Sequence, residues 1–152
     1  MSADKDASND FMALEPHLVE LARAAVQGLR PVVHVLTSTD LADVKESMQK
    51  HPAIHIIHRG FRPVQTRSDG LVTHLRNTWM VVAVSKSSHG QQTARAEAGK
   101  LLAHVAARMS ACRLPNTAGP LTIADSPPAW GGAGFQYVPL AFSVDTFFHA
   151  IY

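Results

Sequence analysis

LVTHLRNTWMVVAVS, from Leu71 to Ser85, is the stretch on which the fold turns. Its first half alternates polar and apolar residues, which is the period of a half-buried strand. Its second half, Trp79 to Val84, is apolar without a break. An apolar strand with no polar face has both faces covered, so this one needs a helix on one side and something else on the other. The covering helix follows at once. Ala94, Ala98, Leu101, Leu102, Val105, Ala106 and Met109 recur at helical spacing, with Arg95, Lys100 and Arg108 on the opposite face. Ser88-His-Gly-Gln91 has the form of a capping box ahead of it. The many alanines, with Gly99, let this helix lie close against a sheet.

Working back from Leu71, FRPVQTRSDG (Phe61 to Gly70) reads as a loop, with two arginines, a proline and an Asp-Gly turn signal. Ala53 to His58 reads as a strand by its isoleucines, closed by Gly60. Thr37 to Lys50 reads as a helix, with cap-like Ser38 and Thr39, dipole-compatible Asp40 and Asp43, and Leu41, Val44 and Met48 inward. His51-Pro52 stops it. Val32 to Leu36 reads as a short strand. Leu14, Leu18, Leu21, Ala22, Ala25 and Leu29 mark a first helix, with Pro16 in its first turn and Gly28 and Pro31 at its end. Residues 1–10 read as a flexible polar tail, leaving 11–152 as a single domain.

Toward the C-terminus, Asn116 to Pro120 is a turn and Leu121 to Ala124 a short strand. SPPAWGGAG (Ser126 to Gly134) is a Pro/Gly-rich loop. Phe135 to Phe148 alternates cleanly, with Val138, Leu140, Phe142 and Val144 on one face and Tyr137, Pro139, Ala141, Ser143 and Asp145 on the other. Pro139 cannot donate to a ladder and implies an edge position or a bulge. The order predicts an α+β fold, a mainly antiparallel sheet of about four or five strands flanked by helices.

Chemistry-bearing constellations are scarce. The 14 Lys and Arg residues exceed the 12 Asp and Glu by only two and are scattered, so no large field favours nucleic acid. Cys112 is alone, which precludes an intramolecular disulfide, agrees with a reducing compartment and carries no nucleophile signature. Residues 1–10 lack the apolar segment of a secretory signal, and no apolar run approaches the roughly 20 residues of a membrane span. Of nine histidines, His51, His55 and His58 lie closest, but odd spacing on a strand sends His55 and His58 to opposite faces, away from a common metal. Gly131 to Gly134 lacks the following helix and lysine of a phosphate loop. No catalytic residue, metal ligand or cofactor site emerges.

What is left over is apolar material where a monomer exposes it. Trp130 sits in a loop, and Phe147, Phe148, Ile151 and Tyr152 crowd the C-terminus. Either that end folds back on its own core or it meets another subunit.

Several segments, in their order and spacing, resemble the phage tail terminator proteins of long-tailed phages, including the group in Mu-like prophages. They are Ala13-Leu-Glu-Pro16, Ala53 to Gly60, Trp79 to Val84, Arg95 to Leu102, Gly119-Pro-Leu121 and Gly134 to Phe142. The first ten residues and Phe147 to Tyr152 lie outside the resembling segments. The resemblance implies a structural virion protein, not an enzyme, without cofactor or metal. It implies a homohexameric ring that caps the head-proximal end of the tail tube, ends tube polymerisation and offers its other face to head and neck proteins. The partners it implies are other copies of the chain, the tail tube protein and the head-tail connector; genomic DNA only passes through the lumen, and no membrane is involved. Such a protein is assembled in the host cytoplasm. On this sequence the candidate contact residues are Arg59, Arg62, Arg67 and Asp69 in one loop, Trp130 in the other, and Phe147 and Phe148. The competing readings are a small α+β ligand-binding or enzyme subunit, in which Trp130 and the glycine-rich loop close over a ligand, and a neighbouring neck or tail-completion protein.

Overall fold

The computed structural model of the chain describes residues 10–38, 50–88 and 90–150. The polar tail before Asp10, the helix expected over Thr37 to Lys50 and the end of the chain after Ala150 fall largely or wholly outside them. Among the described residues two helices, α1 (Leu14–Val26) and α2 (Gln91–Met109), pack on a mostly antiparallel six-stranded sheet. Its strands are β1 (His34–Ser38), β2 (Ala53–Thr66), β3 (Val72–Lys86), β4 (Thr122–Ala124), β5 (Trp130–Gly132) and β6 (Phe135–His149). The sheet order is β1-β2-β3-β6-β4, with β5 also on β6. Among the described residues only β1 and β2 run parallel. The α+β architecture expected from the element order is the one observed.

β3 is central, as the opening stretch requires. Trp79 to Val84 are each at most 1% exposed. Trp79, Val81 and Ala83 face the helices together with Ile54, Ile56, Phe142 and Val144. Met80, Val82 and Val84 form a second cluster with Ala53, Ile57, Phe135 and Tyr137, against which Leu36 and Trp130 pack. Both faces of one strand are thus core. The β6 alternation is also observed, Val138, Leu140, Phe142 and Val144 joining the helix-side cluster.

α1 buries Leu14, Leu18, Ala22, Ala25 and Val26, with Glu15 in its first turn and Arg23 in its last, each charge favourable to the helix dipole. The Asp10 carboxylate accepts the Met12 N–H at 2.9 Å, which turns the chain into the helix. Gly28, at φ +82°, ends it in a left-handed conformation that side chains disfavour. α2 buries Ala94, Ala98, Leu102, Val105, Ala106 and Met109, the expected face. The His104 ring nitrogen Nε2 lies 2.7 Å from the Ala25 carbonyl and ties α2 to the last turn of α1.

Several local expectations are corrected. Phe61 to Gly70 is not a loop: β2 continues to Thr66, and only the residues beyond it turn into β3. Its exposed residues, Gly60, Pro63 and two register shifts (His58/Gly60 and Pro63/Gln65) erase the strand's period. Ser126 to Gly134 likewise contains β5, which forms a hairpin with β6 through Ala133 and Gly134 at φ +52° and +82°. Ser88 does not cap α2; the cap position is Gly90, at φ +103°, without a side-chain bond. Ser38 belongs to β1, and its hydroxyl lies 2.7 Å from His55 Nδ1. Gly99 makes no close approach, since a Cβ there would meet nothing within 4 Å; Ala94 and Ala98 are the buried small residues. Pro139 occupies the gap between the stretches of β6 paired with β5 and β4. Two residues on, the outward Ala141 N–H bonds Ser126 Oγ at 2.8 Å, so the missing donor of Pro139 points where no strand lies.

Candidate interaction surface

Beyond the helices, β2, β3 and β6 continue together as a three-stranded arm built from Gly60–Thr66, Val72–Asn77 and Val144–His149. Here the sheet is no longer buried on both sides. Every residue of β2 from Phe61 to Thr66 is exposed. The strands persist because three of them pair in register, with Arg62 opposite Arg76 and Arg76 opposite Asp145.

One arm face carries an ion cluster. Arg76 donates from Nε to Asp145 Oδ1 at 2.9 Å and from Nη2 to Oδ2 at 3.1 Å, a two-pronged pair. His74 Nε2 lies 2.8 Å from the same carboxylate. The Arg76 hydrogen bond, joined by that of His74, holds the Asp145 carboxyl below the usual range. Arg62 stands across the strand from Arg76, and its side chain takes no part in this cluster, nor in any ion pair or hydrogen bond among the described residues. Arg59, at the bulge where the arm leaves the body, is exposed and likewise unpaired among the described residues. Phe147 lies on this same face, exposed, with the His74 ring 5.1 Å from its own.

The opposite arm face carries an aromatic cluster among polar side chains, Asn77 Nδ2 donating to Thr146 Oγ1 at 2.9 Å. Phe11 stacks on Phe61 at 4.9 Å and on Phe148 at 5.4 Å, bridging the two outer strands. Phe11, Met12 and Phe61 remain exposed there. At the body end of the arm, the His58 ring packs on Trp79 at 4.6 Å, and burial lowers its pKa while Glu15 opposes that shift.

The sequence-derived contact residues therefore fall into separate places. Arg62 and Phe147 share one arm face, and Phe148 lies on the other. Arg67 and Asp69 sit in the connecting turn, where they are spent on each other: Arg67 Nε donates to both carboxylate oxygens at 2.9 Å, and Asp69 Oδ1 accepts the Leu71 N–H at 2.9 Å. Trp130 lies far from all of these. It pairs with Tyr137 and stacks flat on it, centroids 5.0 Å apart, and Tyr137 pairs with Val84, while Phe147 pairs with His74. Ten residues of strand, roughly 33 Å, separate the two positions. Sequence reasoning missed His74, Arg76 and Asp145, which only the sheet order brings together. It also missed Phe11 and Phe61, for which exposed aromatics beside polar neighbours were the available signal.

The described residues contain no group of three or more His, Cys, Asp or Glu able to hold a metal ion, and none of their helices is long and apolar enough to cross a membrane. The chain matches the family described as Phage tail terminator protein over residues 7–151. It belongs to that family. The match takes in Phe147 to Ala150, which the sequence motifs left out. It makes the chain a structural component of a phage tail. Comparison with curated proteins finds no match.

Proposed function

We propose that this tail terminator family member caps the head-proximal end of the tail tube as a ring, ends tube polymerisation and presents the docking surface for the head and neck proteins. Membership of the family over nearly the whole chain carries the reading. The arm supports it, because side chains displayed on a paired, three-stranded scaffold are held for a partner without being needed for the core. In this reading residues 11–152 act as one domain, Arg59, Arg62 and Phe147 meet the tube or the neighbouring subunit, and the Arg67–Asp69 pair shapes the turn that presents them. Phe148, stacked on Phe11 of its own chain, flanks the contact, whereas Trp130, stacked on Tyr137 at the other end of the sheet, lies apart from it. The two arginines supply register and encounter rate against an acidic surface more than affinity. The protein's place is the virion tail, reached by assembly in the host cell, with DNA only traversing the ring. Catalysis has no part in this role; the ring of Trp130, which a ligand-binding alternative uses as a cover, is laid on Tyr137.

The direct test is tube assembly from purified tube protein with and without this chain, read by negative-stain imaging. The expected result is tubes that stop growing and carry a ring at one end. Tubes of unchanged length, with no density added at either end, would refute the capping role.

A further inference from the structure

The ring reading leaves open which surfaces of neighbouring copies touch, and the sheet offers few choices. The free margin of β2 in the arm is guarded against strand addition: it carries Pro63, two register shifts and exposed arginines, the features that blunt strand edges. The two ends of the sheet differ. β1 and β4 close the strand order at opposite sides, and neither carries a proline or lysine within its strand. His34 N–H donates to the Pro52 carbonyl at 3.0 Å, so the alternate residues Val35 and Thr37 turn their main-chain groups outward. On β4, Leu121 exchanges hydrogen bonds with Ala111 and Cys112 at 2.8 Å on its outer side, which leaves Ile123, two residues on, facing out. Val32 beside β1 is 55% exposed and Ile123 on β4 is 57% exposed, the highest values among the exposed large hydrophobic residues.

We infer that copies of this chain join head to tail through β4 of one protomer and β1 of the next, making one continuous sheet across the junction. The inference rests on the ring proposed above and names its contact. Strand polarity fits it. β1, β2 and β6 run one way, and β3 and β4 the other, so rotation about an axis along the strands sets β4 antiparallel to the incoming β1. A register with Ile123 opposite Val35 exchanges two main-chain hydrogen bonds and buries Ile123 beside the start of β1. Charge fits as well. Asp125 follows β4 directly and is exposed. Arg23 and Arg30 line the concavity beside Val32, His34 and Val35, and they have no ion-pair partner among the described residues. In the antiparallel arrangement the end of β4 meets the start of β1, which brings Asp125 to those arginines. A junction of this kind is heterologous, using two different surfaces, and it closes into a ring when its rotation does.

Charge reversal tests this. The full chain and its variants Arg30→Asp, Asp125→Arg and the double swap are compared by mass photometry, alone and with tube ends, while circular dichroism checks folding. Both sites are exposed, so all variants fold. Each single reversal weakens association about tenfold or more, and the double swap recovers most of the loss. Rings that form equally well in all variants overturn the β4–β1 junction and leave the ring intact. Loss with Arg30→Asp but not Asp125→Arg overturns it in favour of a two-fold β1–β1 contact. Single reversals that the double swap does not restore also overturn the pairing. A wild-type chain that stays monomeric even on tube ends overturns both the junction and the ring.

Discussion

The same three strands do opposite things at their two ends. Between Trp79 and Val84, β3 is sealed on both faces and its neighbours in β2 and β6 are core. Beyond Trp79, toward Val72, the same strands form an arm whose β2 residues from Phe61 to Thr66 are all exposed. Backbone pairing is continuous across the change, so hydrogen bonding is not what separates the halves. Side-chain burial is. Stability therefore resides in the body, and the arm is free to be chosen for contact.

The strongest way to break that contrast is substitution in the body. Trp79→Ala removes a fully buried indole and should cost about 3 to 5 kcal/mol, read as a large fall in denaturation midpoint. A loss below about 1 kcal/mol would mean that the body is not where stability lies. Acid is the next lever. His55 is 1% exposed and its pKa is lowered by burial to about 4. The unfolded chain takes up a proton on this ring below about 6.5 while the folded chain does not, so stability is complete above that pH and falls as pH drops toward 4. The loss should reach at most about 3 kcal/mol. It should largely vanish in His55→Gln, measured by thermal melts between pH 7 and 4.

Smaller effects sharpen the arm's side of the comparison. Asp145→Asn leaves Arg76, with Arg62 opposite it on the next strand, without its counter-ion, and should lower the melting temperature by a few degrees at low salt and less at high salt. Arg62→Ala should change stability by no more than about 0.5 kcal/mol while weakening tube capping in the assembly assay; unchanged capping would remove this residue from the contact set.

The body was legible in the sequence, as were two strands of the arm, inside Leu71 to Ser85 and Phe135 to Phe148; the β2 strand of the arm was not. Ala94 to Met109 and Val138 to Val144 advertise their faces because one side must be apolar to be buried. Gly60 to Thr66 buries neither side, carries Gly60 and Pro63, and shifts register twice, so its strand character comes only from pairing with β3. β5 is three residues with two glycines and announces a turn rather than a strand. The Arg76–Asp145–His74 cluster joins residues 69 and 71 positions apart, a coupling that no local pattern encodes. Gly90 in place of Ser88 at the start of α2 is a matter of backbone angle, which a donor-spacing rule does not see.

Phe11, clasped between Phe61 and Phe148, holds the stretch ahead of α1 against the arm. An affinity tag or fluorescent protein spliced ahead of Asp10 would emerge beside the arm and crowd whatever docks there. Obstruction by the tag then mimics inactivity in an assembly assay, and cleaving the tag is the first control to run.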